Sequence, residues 1–228
     1  MRVYLQRIVL ILVVLLLFSS NLLASSYVIK TSYIGNPKLD MRTEGKFLGI
    51  KYWQNDEYTI NNGYGIGVEY ETSRVNKSFT FGLGVEYYLP RNVPKVEQSG
   101  AVLTYPVVPF STDEDFSNAQ IQVTYFTGKA KWYFTDTWFM GAQLRMPTVT
   151  LVGSDWEDWW GKARVAAGLS QGFVFGVDND DFVFELVLGT DKLSFHGLED
   201  PDGNSLEVEE DLSVTMFSIG RRFSLEPE

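Results

Sequence analysis

The sequence predicts an all-β fold: a closed antiparallel up-and-down transmembrane β-barrel of about eight strands. Three observations predict it. Apolar residues recur at every second position, the positions between them hold glycine and charges of both signs, and short connections alternate with long ones along the chain. Period-two alternation is typical of strands with one apolar face, and short turns at one end with longer loops at the other are typical of outer-membrane barrels.

The N-terminal segment, residues 1–24, is predicted to be a secretory signal peptide. Arg2 and Arg7 make its start positive, and residues 8–18 are an unbroken apolar run. A retained membrane anchor is the alternative, but a helix needs about 20 apolar residues to cross a bilayer. Cleavage after Ala24 is therefore preferred. The segment that follows, 25–43, is left without an assigned structure.

The alternation predicts the barrel over residues 44–223, followed by a tail at 224–228. From Tyr64 to Tyr70, for example, large apolar residues alternate with Gly65, Gly67 and Glu69. Glycine and charge on the second face fit the narrow interior of a small barrel. The predicted strands are residues 44–54, 58–73, 77–89, 119–134, 137–147, 161–177, 181–196 and 211–223. Further strands at 27–34 and 101–108 would make ten, but eight is preferred.

The connections between these strands alternate in length. The short ones, which contain turn-forming residues such as Asp and Asn, are residues 74–76, 135–136 and 178–180. The long ones are residues 90–118, 148–160 and 197–210. A soluble sandwich has no reason to place every long loop at one end, so this pattern favours the membrane barrel. Only the short first connection, 55–57, departs from it.

Composition excludes several functional classes. The chain has 228 residues, with 19 Lys and Arg against 29 Asp and Glu. This acidic balance excludes a typical nucleic-acid binder, because phosphate contacts need clustered basic residues. The absence of cysteine excludes disulfides and thiolate metal sites. No phosphate-binding glycine loop or zinc-protease motif is present, and no cofactor is predicted.

Two stretches resemble the small outer-membrane β-barrel families, of which the OmpA-type transmembrane barrel is the best known. They are residues 128–138, GKAKWYFTDTW, and the last strand, 212–223. The resemblance covers 44–223 and implies contact with outer-membrane lipids and lipopolysaccharide. It also implies that the assembly machinery recognises the last strand. Aromatic residues near the short turns and at the end of that strand are predicted to lie at headgroup depth: Trp132, Trp138, Phe173, Phe175, Phe182, Phe184 and Phe223.

Charged residues on the non-apolar face are predicted to form ion pairs inside the barrel, because an isolated charge is costly in a low-dielectric interior. Glu69, Glu71 and Glu185 are expected in the short-turn half. The long-loop half is expected to hold Glu86, Arg145, Lys162, Arg164 and Asp191. Lys129 and Lys131 would join the first group if Gly128 marks a bulge that resets the face. A filled lumen is preferred over a gated ion path, because eight strands leave room only for side chains.

The long loops carry most of the remaining candidates. Acidic residues at 199–211 could bind a divalent cation through carboxylate oxygens, with Asp200, Asp202, Glu207 and Glu209 as weak candidates. A solvated acidic loop is the preferred interpretation. The tryptophans of the 148–160 connection, Trp156, Trp159 and Trp160, are assigned to an upper aromatic girdle rather than to a ligand platform.

The single histidine, His196, lies two residues after Ser194, so both are expected on the lipid-exposed face. A serine–histidine pair with Glu199 nearby resembles the lipid A deacylase barrels. That family has the histidine before the serine, whereas here the order is reversed. The preferred function is therefore not enzymatic. It is a structural or surface-interaction role with an unidentified envelope partner, and a narrow channel and a lipid A hydrolase are the alternatives.

Overall fold

The computed structural model describes residues 24–225 except 36, 48, 77, 105, 117, 157–163, 180 and 200–204. The predicted signal peptide lies outside this part of the chain, apart from Ala24. Thirteen strands are found in the described part. They are β1 (Ala24–Ile34), β2 (Lys38–Phe47), β3 (Ile50–Thr59), β4 (Gly63–Thr72), β5 (Phe79–Asn92), β6 (Lys95–Val102), β7 (Val108–Asp115), β8 (Gln120–Tyr133), β9 (Trp138–Val152), β10 (Arg164–Ala167), β11 (Ser170–Asn179), β12 (Phe182–Glu199) and β13 (Ser205–Ser224).

Eight of these strands close into an antiparallel barrel. Around the wall their order is β1, β4, β5, β8, β9, β11, β12 and β13, and β13 pairs with β1 to complete the circle. β10 is one extra strand that pairs with β12 above β11. The predicted fold class is confirmed. Closure leaves the barrel without a free edge, which is how a sheet can satisfy its backbone hydrogen bonds in lipid.

The first barrel strand differs from the prediction. It is β1, in the segment left unassigned, and not residues 44–54. Those residues fall in β2 and β3, which belong to a separate four-stranded sheet in the order β2-β3-β6-β7. We call this the outer sheet. Period-two alternation is the same in a barrel strand and in a hairpin of a second sheet, so periodicity could not separate them. Likewise, residues 101–108 are mostly the connection between β6 and β7 and add no barrel strand.

The two ends of the barrel are unequal. At one end the connections are short: 73–78, 134–137 and 180–181. At the other end lie the hairpins of the outer sheet and the longer connections, so the predicted asymmetry is present. The apparent exception at 55–57 disappears, because those residues lie inside β3. We call these the short-turn end and the long-loop end.

The barrel and the outer sheet are packed differently. The barrel exposes apolar side chains around its wall, such as Ile66, which is 65% exposed, while its interior holds charged groups. At the long-loop end, Tyr58, Phe116 and Trp156 form a buried aromatic core with ring centroids 4.9–5.8 Å apart. No helix within the described residues is long and apolar enough to cross a bilayer.

Candidate functional site

The barrel interior is the candidate functional site, and small residues make it possible. In β5 the even-numbered positions up to Tyr88 face inward, so Gly82 lies against the carboxylate of Glu69. A Cβ atom at Gly82 would overlap that carboxylate. Gly220 in β13 likewise lies against Val28 and Lys30 of β1. Glycines on the inner face therefore leave the space into which long charged side chains extend.

The middle of the lumen holds a compact group that we call the central cluster: Lys30, Lys129, Lys131, Glu69 and Glu185. Glu185 Oε2 accepts hydrogen bonds from Lys30 Nζ at 2.8 Å and Lys129 Nζ at 2.6 Å. Its other oxygen lies 2.7 Å from Lys131 Nζ. Glu69 pairs with Lys30 and lies 2.8 Å from Lys129 Nζ. Each side chain is at least 98% buried, so three ammonium groups and two carboxylates compensate one another without bulk water.

The short-turn end continues this network. Glu71 pairs with Lys131, and Arg222 Nη2 donates to Glu71 Oε2 at 2.5 Å. Arg222 Nη1 donates to Asp178 Oδ1 at 2.7 Å, and the Tyr133 hydroxyl donates to the other oxygen at 2.6 Å. With these groups the cluster reaches four cations and four carboxylates. The charges therefore balance in this part of the lumen.

A small polar cavity of about 70 Å³ lies beside these groups. Its lining includes Glu71, Tyr133, Asp178 and Arg222. Arg74 also lines it, from the connection after β4. The Arg74 guanidinium lies 3.8 Å from the centre of the Tyr133 ring and donates to the backbone oxygen of Asp136 at 2.8 Å. The cavity ends at the ion pairs of the cluster.

The long-loop half of the lumen contains fewer ion pairs. Arg145 is fully buried, with Nη2 2.9 Å from Asp191 Oδ1. The Tyr125 hydroxyl donates to Asp191 Oδ2 at 2.6 Å. Glu86 accepts a hydrogen bond from the Tyr88 hydroxyl at 3.1 Å and lies 3.9 Å from Lys129 Nζ, so it links this half to the central cluster.

Several lumen residues were not predicted from the sequence. Lys30 lies in the segment without an assigned structure, and Asp178 was interpreted only as a turn former. Arg222 lies in the last strand, two residues from Gly220 on the inner face. The sequence did not show where β1 lies. Once β1 is paired with β4 and β13, the alternation of side chains along these strands places Lys30 and Arg222 inside the barrel.

Lys129 and Lys131 enter the lumen without the bulge proposed at Gly128. The pairing of β8 with β9 is continuous from Gln120 to Tyr133, and odd-numbered residues of β8 are buried from Ile121 onward. The bulge in this part of the wall is instead in β5, between Tyr88 and Arg91. The side chains of the other two predicted cations, Lys162 and Arg164, lie outside the described residues.

The carboxylates Glu69, Glu71 and Glu185 bring oxygens within 4.8 Å of one another, a spacing that could hold a metal ion. Three lysine ammonium groups already lie among them. The positive charge that a metal would supply is thus provided by the chain. The loop candidates Asp200 and Asp202, and the side chains of Glu207 and Glu209, lie outside the described residues.

The predicted girdle residues are mostly at the barrel surface. Those between 38% and 50% exposed are Trp132, Trp138, Phe173, Phe182, Phe184 and Phe223. Phe175 is partly buried, with its ring 5.4 Å from Trp138. Trp156 differs from its assignment to an upper girdle: it is 4% exposed and packs in the aromatic core of the outer sheet. Its indole Nε1 donates to the backbone oxygen of Gln120, because a buried indole needs an acceptor.

The proposed serine–histidine pair is only partly described. Ser194 lies in β12, opposite Ala166 and Glu209, and is partly buried. The side chains of His196 and Glu199 lie outside the described residues. The pairing of β12 with β13 shifts between Phe195 and Leu198. The regular alternation used to place Ser194 and His196 on one face therefore ends within this stretch.

No protein-family model matches the chain, and no curated protein matches its sequence. Solved outer-membrane barrels match its fold. The outer membrane protein OprG from Pseudomonas aeruginosa is 16% identical, with a TM-score of 0.48, 88% of this chain covered and 96% of OprG. The outer membrane protein AlkL, solved in DMPC lipid bilayers, is 8% identical, with a TM-score of 0.50, 92% of this chain covered and 94% of AlkL. At such identities the AlkL likeness supports the small outer-membrane barrel fold alone. The resemblance to the OmpA type stays a prediction.

Proposed function

We propose that this protein is an integral outer-membrane barrel with a closed lumen, whose outer sheet is the surface for interactions with other envelope or extracellular molecules. The observation that carries the proposal is the filling of the lumen by buried ion pairs, from Arg145 and Asp191 to Arg222 and Asp178. In a barrel blocked in this way, the polar groups that other molecules can reach lie at its two ends. The outer sheet is the larger of the two end structures in the described part of the chain.

The apolar wall supports insertion into a membrane. Side chains such as Ile66, Leu144 and Phe173 are each at least half exposed on the outside of the barrel. Exposing apolar surface to water costs roughly 25 cal/mol of free energy for each Å², whereas exposing it to lipid does not carry this cost. Aromatic residues near the short turns fit headgroup depth. Outer-membrane lipids and lipopolysaccharide are the partners that such a wall requires.

Export and assembly complete the proposal. Residues 1–24 direct the chain across the inner membrane, and β13, which carries Phe223 near its end, presents an aromatic residue to the outer-membrane assembly machinery. With the N-terminus on the periplasmic side, β1 runs outward. The short-turn end then faces the periplasm, and the outer sheet faces outside.

Fractionation together with gel mobility tests the membrane location. After expression of the full chain in a Gram-negative host, we expect recovery in the outer-membrane fraction. We also expect a band whose mobility changes on boiling, because a closed barrel resists detergent until heated. Recovery in the soluble periplasmic fraction without a mobility change would contradict the proposal and indicate a soluble β-protein.

An inserted epitope tests the orientation. A tag in the connection between β6 and β7 should be labelled by antibody on intact cells, while the same tag in the turn at 134–137 should be labelled only after permeabilisation. The reverse pattern would overturn the assignment of the outer sheet as the external surface. Both insertions must retain the heat-dependent mobility change, which shows that the barrel has folded.

A narrow channel is a second candidate, favoured by the polar cavity at the short-turn end. In this alternative, ions would pass from that cavity through the charged network. Planar-bilayer recordings distinguish the two functions. A closed lumen predicts no discrete conductance steps, whereas a channel predicts steps whose size changes in Glu86→Gln and Arg145→Gln. Such steps would replace the closed-lumen proposal.

A further inference from the structure

Arg91 enters the lumen because of an irregularity in the barrel wall. In β5, Tyr88 pairs with Val123 and Arg91 pairs with Ile121, so β5 holds one more residue than β8 across this interval. Such a bulge reverses the alternation of side chains. Regular alternation from Tyr87 would place Arg91 on the outer wall, but it is only 3% exposed. The bulge at Leu89 and Pro90 therefore directs a cation inward.

No described residue accepts a hydrogen bond from Nε or Nη1 of Arg91. The hydroxyls of Tyr88 and Tyr125 and the carboxylate of Asp191 lie within electrostatic range. Asp191, however, already lies 2.9 Å from Arg145 through one oxygen and accepts from Tyr125 through the other. Arg145 Nε and both polar atoms of the Gln143 amide are also buried without a partner among the described residues. Buried donors of this kind are rare without an additional partner.

Arg91 has no ion-pair partner among the described residues. Arg145 pairs with Asp191, and Glu86 lies 3.9 Å from Lys129 of the central cluster. A guanidinium cannot lose its proton in a protein. Water could accept a hydrogen bond, but it would leave the charge uncompensated in a low-dielectric interior.

The backbone at Gly63 makes room for the Arg91 side chain itself. Gly63, at the start of β4, lies against the Arg91 side chain, and a Cβ atom there would overlap Cδ and Cγ of Arg91. Any side chain at position 63 would therefore displace the aliphatic part of Arg91.

We propose that Arg91 is the anchor of an anion-binding site in the long-loop half of the lumen, and that its ligand is a small anion bearing a planar carboxylate. A carboxylate matches the planar donor fork of a guanidinium and would give Arg91 a partner of opposite charge. The site is independent of whether the outer sheet binds a partner or whether the lumen conducts ions.

Formate is the probe that tests the site, because it is the smallest carboxylate. The full-length protein, folded in detergent, is heated at fixed ionic strength with increasing sodium formate, and the folded fraction is read from gel mobility. Binding to the folded state alone raises the unfolding midpoint in a saturable way. We expect this rise in the wild type, a smaller one in Arg91→Lys, which keeps the charge without the fork, and none in Arg91→Gln.

Arg42→Gln is the matched control, because Arg42 is an exposed arginine of β2 that pairs with Glu44 on the outer sheet. It should keep the full formate response. Without formate, Arg91→Gln should unfold at the same temperature as the wild type or higher, since an unpaired buried charge has been removed. A wild type without a saturable rise, or an equal rise in Arg91→Gln, would overturn the proposal. If Arg91→Gln does not fold, an equal rise in Arg91→Lys would overturn it instead.

Discussion

The barrel and the outer sheet use the same alternation of residues in opposite ways. In the outer sheet, Leu39, Tyr58 and Val96 are paired neighbours across three strands and are all buried, so its apolar face is dry. In the barrel, Ile66 and Val68 are exposed and the alternate residue Glu69 is buried. Alternation therefore predicts that a segment is a strand with two unlike faces. Its surroundings determine which face is removed from solvent.

This difference changes what a charge contributes to stability. On the outer sheet a row of carboxylates, Asp40, Glu57, Glu97 and Asp113, crosses all four strands, where water and salt screen each charge. In the lumen each carboxylate compensates lysines or arginines that have little other stabilisation. The same substitution should therefore have very different effects in the two regions.

The largest expected effect is that of Glu185→Leu. This change leaves Lys30, Lys129 and Lys131 with an excess of positive charge inside the barrel. Removal of one partner from a buried ion network costs about 3–5 kcal/mol. We expect a large loss in the free energy of unfolding, measured by urea titration of the folded fraction. Glu97→Leu is the matched control, since Glu97 pairs with Lys95 at the surface of the outer sheet. An equal loss in both variants would remove the distinction between the two regions.

Trp156→Ala should produce a local effect of intermediate size. Removing the ring leaves a cavity against Tyr58 and Phe116, and such truncations cost about 3–5 kcal/mol for the structure that loses the contact. We expect faster proteolysis of the hairpins β2–β3 and β6–β7, with an unchanged heat-dependent mobility of the barrel. Trp138→Ala, at an exposed wall position, should leave hairpin proteolysis unaltered. Loss of the mobility change in Trp156→Ala would show that the two regions unfold together.

Asp56→Asn should give the smallest effect, a change in how the stability of the outer sheet depends on pH. Burial raises the pKa of Asp56 in the outer sheet, although Gln54 and Gln98 donate hydrogen bonds that oppose the rise. The folded state therefore favours the protonated acid, so this group's stabilising contribution is present at low pH and is lost as pH rises through the raised pKa. The variant should be slightly more stable near neutral pH and should lack this dependence, measured by hairpin proteolysis between pH 4 and 7. A dependence equal to that of the wild type would contradict this role for Asp56.

The sequence predicted the closed barrel, the number of its strands and an ion-paired lumen, because these follow from parity within single strands. It did not predict β1, since neither alternation nor composition tells which alternating segment pairs with the last strand. Arg91 was missed for a similar reason: a bulge is a property of two paired strands, and the sequence of β5 alone does not show the extra residue. Trp156 was assigned to a membrane girdle because aromatic clustering is common to girdles and to buried cores.

The pairing of Lys30 with Glu185 joins residues that are 155 positions apart. Lys30 lies in the first barrel strand and Glu185 in the next to last, so the pair can form only when nearly the whole chain has reached the barrel. Contacts of such separation form late and slowly. Until then one edge of β1 has no partner strand, and Lys30 can pair with Glu69 of the adjacent strand β4 but not with Glu185. The ion pairs of the central cluster are therefore complete only when the first and last strands of the barrel meet.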